Sequence, residues 1–131
     1  MGKIHKAIAL ASQAFVKKYV DSKTGMDLIW ENPKPTSSFS EQTIELDLKG
    51  YREIRIDMRL EDGSSIVESF TIPVNEERYT IVVMYNSRGV RHVTANTTGV
   101  TFGVGRYANS GEATLADNNE AAVPQKIYGV K

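Results

Sequence analysis

The sequence predicts a mostly-β chain, an antiparallel and jelly-roll-like β-sandwich preceded by one N-terminal α-helix. Three observations predict it. Apolar residues recur with a helical period as far as about residue 22, and after Gly25 the period changes from 3.6 to two, which marks a domain boundary. Short strand-like runs then follow one another at roughly ten-residue spacing, each closed by turn-forming residues. No helical pattern separates these runs, which indicates a β-sandwich or barrel. There is no repeat on the scale that would build a propeller or a β-helix.

The helix is expected over the Ala-rich, Gly- and Pro-free stretch from Lys3 to about Ser22. Ile4, Ile8, Ala11 and Phe15 fall at spacings of four, three and four and make one apolar stripe. Gly25 follows as a stop, with Lys17, Lys18 and Lys23 near the negative end of the helix dipole. A helix of about twenty residues is marginal alone in water, so the stripe must pack on copies of itself or on the head. The expected organisation is an oligomerisation helix over 1–24 and a sandwich head over 25–131.

In the head, Met26–Trp30 is a short apolar run, followed by a loop fixed by Pro33 and Pro35. Ile44, Leu46 and Leu48 alternate with Thr43, Glu45 and Asp47, and Ile54, Ile56, Met58 and Leu60 with Glu53, Arg55, Asp57 and Arg59. Such alternation belongs to antiparallel strands with one buried and one wet face. Lys49-Gly50-Tyr51 reads as a tight connection between them. Residues 65–74 form a third strand that ends, or lies at an edge, because of Pro73. Tyr79–Tyr85 is apolar on both faces, which calls for a central strand or one pressed against a neighbouring subunit. Asn86-Ser87-Arg88-Gly89 reads as a hairpin turn, and Gly99, Gly103 and Gly105 mark bulges or close backbone approach around another strand. Residues 106–122 read as a long loop, and Lys126–Lys131 as a last strand filling a sheet.

Composition narrows the function. There are no cysteines among the 131 residues, which removes disulfide staples and thiolate chemistry. No apolar run approaches the ~18 residues of a membrane span, and no leader precedes the helix, so synthesis in a cytoplasm is expected. The zero formal charge hides five lysines against one aspartate in the first 23 residues. These lysines are dispersed, without arginine or a stacking platform, and read as a solvated helix face rather than a nucleic-acid site. The two histidines, His5 and His92, sit on a helix and a strand that have no reason to converge, so neither a metal centre nor a cofactor site is expected. Gly103-Val104-Gly105 lacks the lysine and helix of a phosphate loop. The carboxylates alternate with apolar residues on wet faces, which leaves no glycosidase pair and no expected catalysis. Glu68 is out of pattern between Ile66 and Phe70, and a structural pair with Arg55 or Arg59 is expected. Aromatics are the better lead: Trp30, Tyr51, Tyr107 and Tyr128 fall at strand ends or loops, where a sugar ring or partner chain could stack on them. The alternative for Trp30 is a plug at one end of the sandwich.

Three stretches carry a resemblance. Lys17–Ser22 looks like the "KKYVD" segment that precedes the distal module of phage fibres. Leu28–Phe39 followed by Gln42–Leu48 is similar to the "LWxNPxPTSxF…QTIxLDL" opening of such modules. Val123–Lys131 looks like their "PxKIYGIK" ending. Together they make the chain resemble tail-fibre and minor structural proteins of phages and prophages of Gram-positive bacteria. The resemblance implies a small β-sandwich, often trimeric, displayed on the virion beside other virion structural proteins and engaging host cell-wall polysaccharide, with no catalytic residues to transfer. Nucleic acid and membrane are not among the implied partners. Such modules close long fibres, whereas here a helix of about six turns precedes the head. The expectation is a separate short spike, or a piece docked on another structural protein.

Overall fold

A computed structural model describes residues 25–60, 67–84 and 86–131. The expected helix, with its seam of Ile4, Ile8, Ala11 and Phe15, lies outside the described residues. Those residues form a mostly-β head of two antiparallel sheets layered as a sandwich.

The first sheet holds β1 (Met26–Glu31), β10 (Val123–Val130), β3 (Glu53–Arg59) and β4 (Val67–Pro73), in that order across the sheet. The second is built around β6 (Ser87–Asn96). One edge of β6 pairs continuously with β5 (Glu77–Met84). Its other edge takes β7 (Gly99–Phe102) and then β8 (Arg106–Ala108) in series. Beyond them lie β2 (Gln42–Glu45), paired with β7, and β9 (Ala116–Asp117), paired with β8.

The core is the set of residues that the period-two pattern points inward. Ile54, Ile56, Met58, Ile72 and Ile127 from the first sheet meet Val82, Val93, Ala95, Val100 and Phe102 from the second, all fully buried. Each of these side chains larger than alanine contributes about 1.5–3 kcal/mol of transfer free energy. The opposite face of β3 is wet and polar. There Arg55 lies 3.5 Å from Asp57, and both bond the Ser69 hydroxyl of β4.

The structure corrects several local expectations. The tight connection at Lys49-Gly50-Tyr51, closed by the Tyr51 amide on the Leu48 carbonyl at 3.1 Å, joins strands of different sheets, and Leu48 is buried where the chain crosses between them. Gly50 supplies the φ of +90° that the crossing needs. The turn after β5 comes earlier than 86–89, because Met84 already pairs with Ser87, with Asn86 at φ 68°. The loop over 106–122 contains β8 and β9, and it returns Ala121 and Ala122 to the core. β4 ends at Pro73 and is also an edge strand. β5 is not central, since among the described residues only β6 pairs with it. Glu68 makes no ion pair with Arg55 or Arg59; Arg55 is held by Asp57 and Ser69, and Arg59 donates to the Pro35 carbonyl at 3.1 Å.

Candidate functional site

The four sequence-nominated aromatics occupy separate places. Tyr51 packs its ring on Gly129, where a Cβ would come within 2.6 Å of the ring, and donates its hydroxyl to Asp27 at 2.7 Å. That bond, with burial, pushes the tyrosine pKa up to about 12. Asp27 is in turn held below its ordinary value, chiefly by the Tyr51 hydroxyl and further by Lys131. Tyr51 is therefore a fastener joining β1, β10 and the β2–β3 crossing. Tyr107 packs against the core and donates to Asn109 at 2.9 Å. Tyr128 lies on the outer face of the first sheet, with the Arg55 guanidinium 5.8 Å above its ring.

Trp30 lines a pocket. The bulge in β1 between Leu28 and Trp30 turns the indole to the side of Ile127, the inner side of the sheet. Its ring meets Phe39 edge-on at 6.1 Å, and Phe39 meets Phe102 at 5.2 Å, so an aromatic file runs from the rim into the core. Trp30 thus anchors to the core and also faces a pocket of about 260 Å³, shared with Asn32, Lys34, Ser38, Gln42 and Ile44. The pocket opens between β1 and β2, one strand from each sheet.

The loop that frames this pocket is stiff. Asn32 is buried, donates from Nδ2 to the Pro124 carbonyl at 2.8 Å, and accepts the Lys34 amide at 2.8 Å. Its own amide bonds Gln125 at 2.9 Å, and the Phe39 amide bonds Asn119 at 2.8 Å. Pro33 and Pro35 remove further freedom. Lys34 Nζ, Ser38 Oγ and Trp30 Nε1 have no hydrogen-bond partner among the described residues. An aromatic ring flanked by free donors on a rigid rim is suited to a hydroxylated, ring-shaped ligand, the ring stacking and the donors reading oxygens.

Behind this region lies a residue that the sequence reading missed. Arg91 of β6 is fully buried, and its guanidinium donates to four backbone carbonyls: Gly103 at 2.7 Å, Ala121 and Ala122 at 2.9 Å, and Asn119 at 3.3 Å. It also lies 5.5 Å from the Phe39 ring. Desolvation lowers its pKa to about 10, which still leaves it protonated at neutral pH. Among the described residues no carboxylate pairs with it. It is a clamp that fastens 118–122 and the β7–β8 junction to β6. Gly105 permits the close approach, since a Cβ there would sit 2.6 Å from the Arg91 guanidinium.

The outer face of the second sheet carries a further depression of about 470 Å³, bordered by Glu41, Tyr79, His92, Arg106 and Leu115. The His92 ring lies tilted by 54° against Tyr79, centroids 4.9 Å apart, and 3.3 Å from Glu77. Along β5, Tyr79, Ile81 and Val83 are exposed by 68%, 46% and 49%.

Among the described residues no group of three or more His, Asp or Glu is placed to hold a metal, and no helix is long and apolar enough to cross a membrane. No family model, no curated protein and no solved structure matched the chain.

Proposed function

We propose that the chain is a virion appendage protein of a phage of Gram-positive bacteria, a non-enzymatic head that binds a host cell-surface glycan. In this reading residues 1–24 form the helix that joins three copies, and the two sheets close as a jelly-roll-like head. The Trp30 pocket is the observation that carries the binding role. It lies within the Trp-Glu-Asn-Pro-Lys-Pro-Thr-Ser-Ser-Phe segment on which the resemblance to fibre modules rests, and it combines an aromatic wall with free donors on a braced loop. Three linked heads multiply weak contacts by avidity, so even millimolar single-site affinity, about −4 kcal/mol, suffices.

The test is retention of the intact chain on host cell walls against cell walls of an unrelated bacterium. Selective retention that Trp30→Ala reduces at least about tenfold, a loss of about 1.4 kcal/mol, supports the reading. Equal retention on both, or indifference to the substitution, removes it. Light scattering reporting a monomer for the intact chain would remove the trimer.

A purely structural head-fibre or decoration protein is the second reading. The exposed row on β5 favours it, because a surface of that kind is suited to contact with protein rather than with sugar.

A further inference from the structure

We infer that β5 is a contact between copies of this chain, two β5 strands pairing antiparallel about a two-fold axis so that two second sheets become one. This goes beyond the trimer proposed above, which rests on residues 1–24.

β5 has what an edge strand normally avoids. It is eight residues long, pairs with β6 in unbroken register, and has no partner on its other side among the described residues. Edges left to solvent are ordinarily blunted by lysine, proline or a bulge. From Tyr79 to Val83 there is no charge, no proline and no register shift. The outward face over the same span is apolar, with Tyr79, Ile81 and Val83 all substantially exposed. A free backbone edge and an apolar row on one strand are the two halves of a strand-addition site.

Charge identifies the occupant as a second copy. Glu77 stands at the start of the outward row, 68% exposed, with His92 as its near partner among the described residues. Arg88 stands at the other end, on the same face because it pairs with Val83. Arg88 donates to the Glu112 carbonyl at 3.1 Å and has no carboxylate partner among the described residues. One strand is thus acidic at its start and flanked by a basic residue at its end, and an antiparallel copy meets it acid to base at both ends. A register centred on Thr80 sets Tyr79 beside the partner's Ile81 and Glu77 beside the partner's Val83. The Cα of Glu77 then lies about 10 Å, two strand spacings, from that of the partner's Arg88, within reach of the two side chains. Such a contact is isologous, so each pairing forms twice.

Light scattering on the intact chain over a dilution series, with circular dichroism to confirm folding, tests the contact. A dimer supports β5 pairing and removes the trimer. A hexamer supports both, because a two-fold contact between trimers closes as six copies. A trimer or a monomer overturns the pairing. In the supported cases Ile81→Lys halves the mass. Glu77→Arg and Arg88→Glu each raise the dissociation constant at least about tenfold by setting like charges together, and the double exchange restores it. Failure of the double exchange to restore association would also overturn the pairing, independently of whether the chain binds glycan.

Discussion

Replacing Arg91 by methionine tests how the second sheet is held closed. Methionine keeps an unbranched apolar stem and removes all the donors. Four carbonyls lose this donor, of which Asn119 keeps the Phe39 amide, and the bonds to Ala121 and Ala122 are buried, at 2.9 Å each. A buried carbonyl left without a donor costs about 1–3 kcal/mol, so these two alone account for roughly 2–6 kcal/mol. Relief of the desolvation that depresses the arginine pKa to about 10 offsets part of this. The expected net loss is about 3–4 kcal/mol, a large share of the 5–15 kcal/mol that holds an ordinary domain together. Urea unfolding at fixed protein concentration reads it as a midpoint lowered by about 2 M, at an unchanged slope near ~1.5–2 kcal/mol per M. Amide exchange localises the loss, with Asn118 and Ala122, bonded to Gly105 and Leu60, exchanging faster. Arg91→Lys has a point charge in place of the fork and recovers about half of the loss. A methionine variant with its midpoint within about 0.3 M of the parent would refute the reasoning, because the carbonyls would then be satisfied without the guanidinium.

Gly129→Ala drives a Cβ to 2.6 Å from the Tyr51 ring and must displace it from Asp27; a loss of about 2–3 kcal/mol in urea unfolding is expected. Tyr51→Phe removes the hydroxyl alone, and its effect depends on pH with a definite sign. Asp27 is held low, so its contribution is whole above the unfolded carboxylate pKa of about 4 and is lost as pH falls through the lowered value. Tyr51 is held high, so its contribution is whole below the unfolded phenol pKa of about 10 and is lost as pH rises through about 12. Parent and variant should differ by about 1–2 kcal/mol at neutral pH and converge at both extremes, whereas a difference constant across pH would count against the pair.

Much of the fold was legible because one face of each strand is packed and the other wet. Glu53 to Met58 could be read as a strand, inward residues and all, since burial alternates with sequence parity there. Lys49-Gly50-Tyr51 could be read as a tight connection but not as a change of sheet, because a turn between two strands of one sheet and a crossing between two sheets use the same residues. The buried Leu48 that marks the crossing looks like any other strand residue. β5 carried the opposite problem: apolar residues on both faces fit a central strand and an uncovered edge equally. Arg91 was legible in principle, since it shares parity with the buried Val93 and Ala95, but a charge in an alternating strand is ordinarily assigned to water. What pulls it inward is a cluster of backbone carbonyls contributed by residues 103 and 119–122, distant in sequence and without a signature of their own. For the same reason Tyr51 looked like a free ring, although its partner Asp27 lies 24 residues away.

The two surfaces singled out by the structure lie at opposite edges of the sandwich, and that separation has a consequence for binding. The Trp30 pocket opens between β1 and β2, while β4 and β5 close the far side of their sheets. Across the second sheet the order is β2, β7, β6, β5, so the pocket and the β5 edge are three strand spacings apart, about 14 Å. Copies joined at β5 therefore do not occlude Trp30, and the pairing carries the two pockets to the outer ends of one continuous sheet, seven spacings or about 34 Å apart before twist. A polymeric glycan long enough to span that distance gains from both sites, whereas a single sugar gains from one. Ile81→Lys should accordingly lower retention on cell walls while leaving the affinity for a short oligosaccharide unchanged. Trp30→Ala should lower both, and that difference separates loss of assembly from loss of the site.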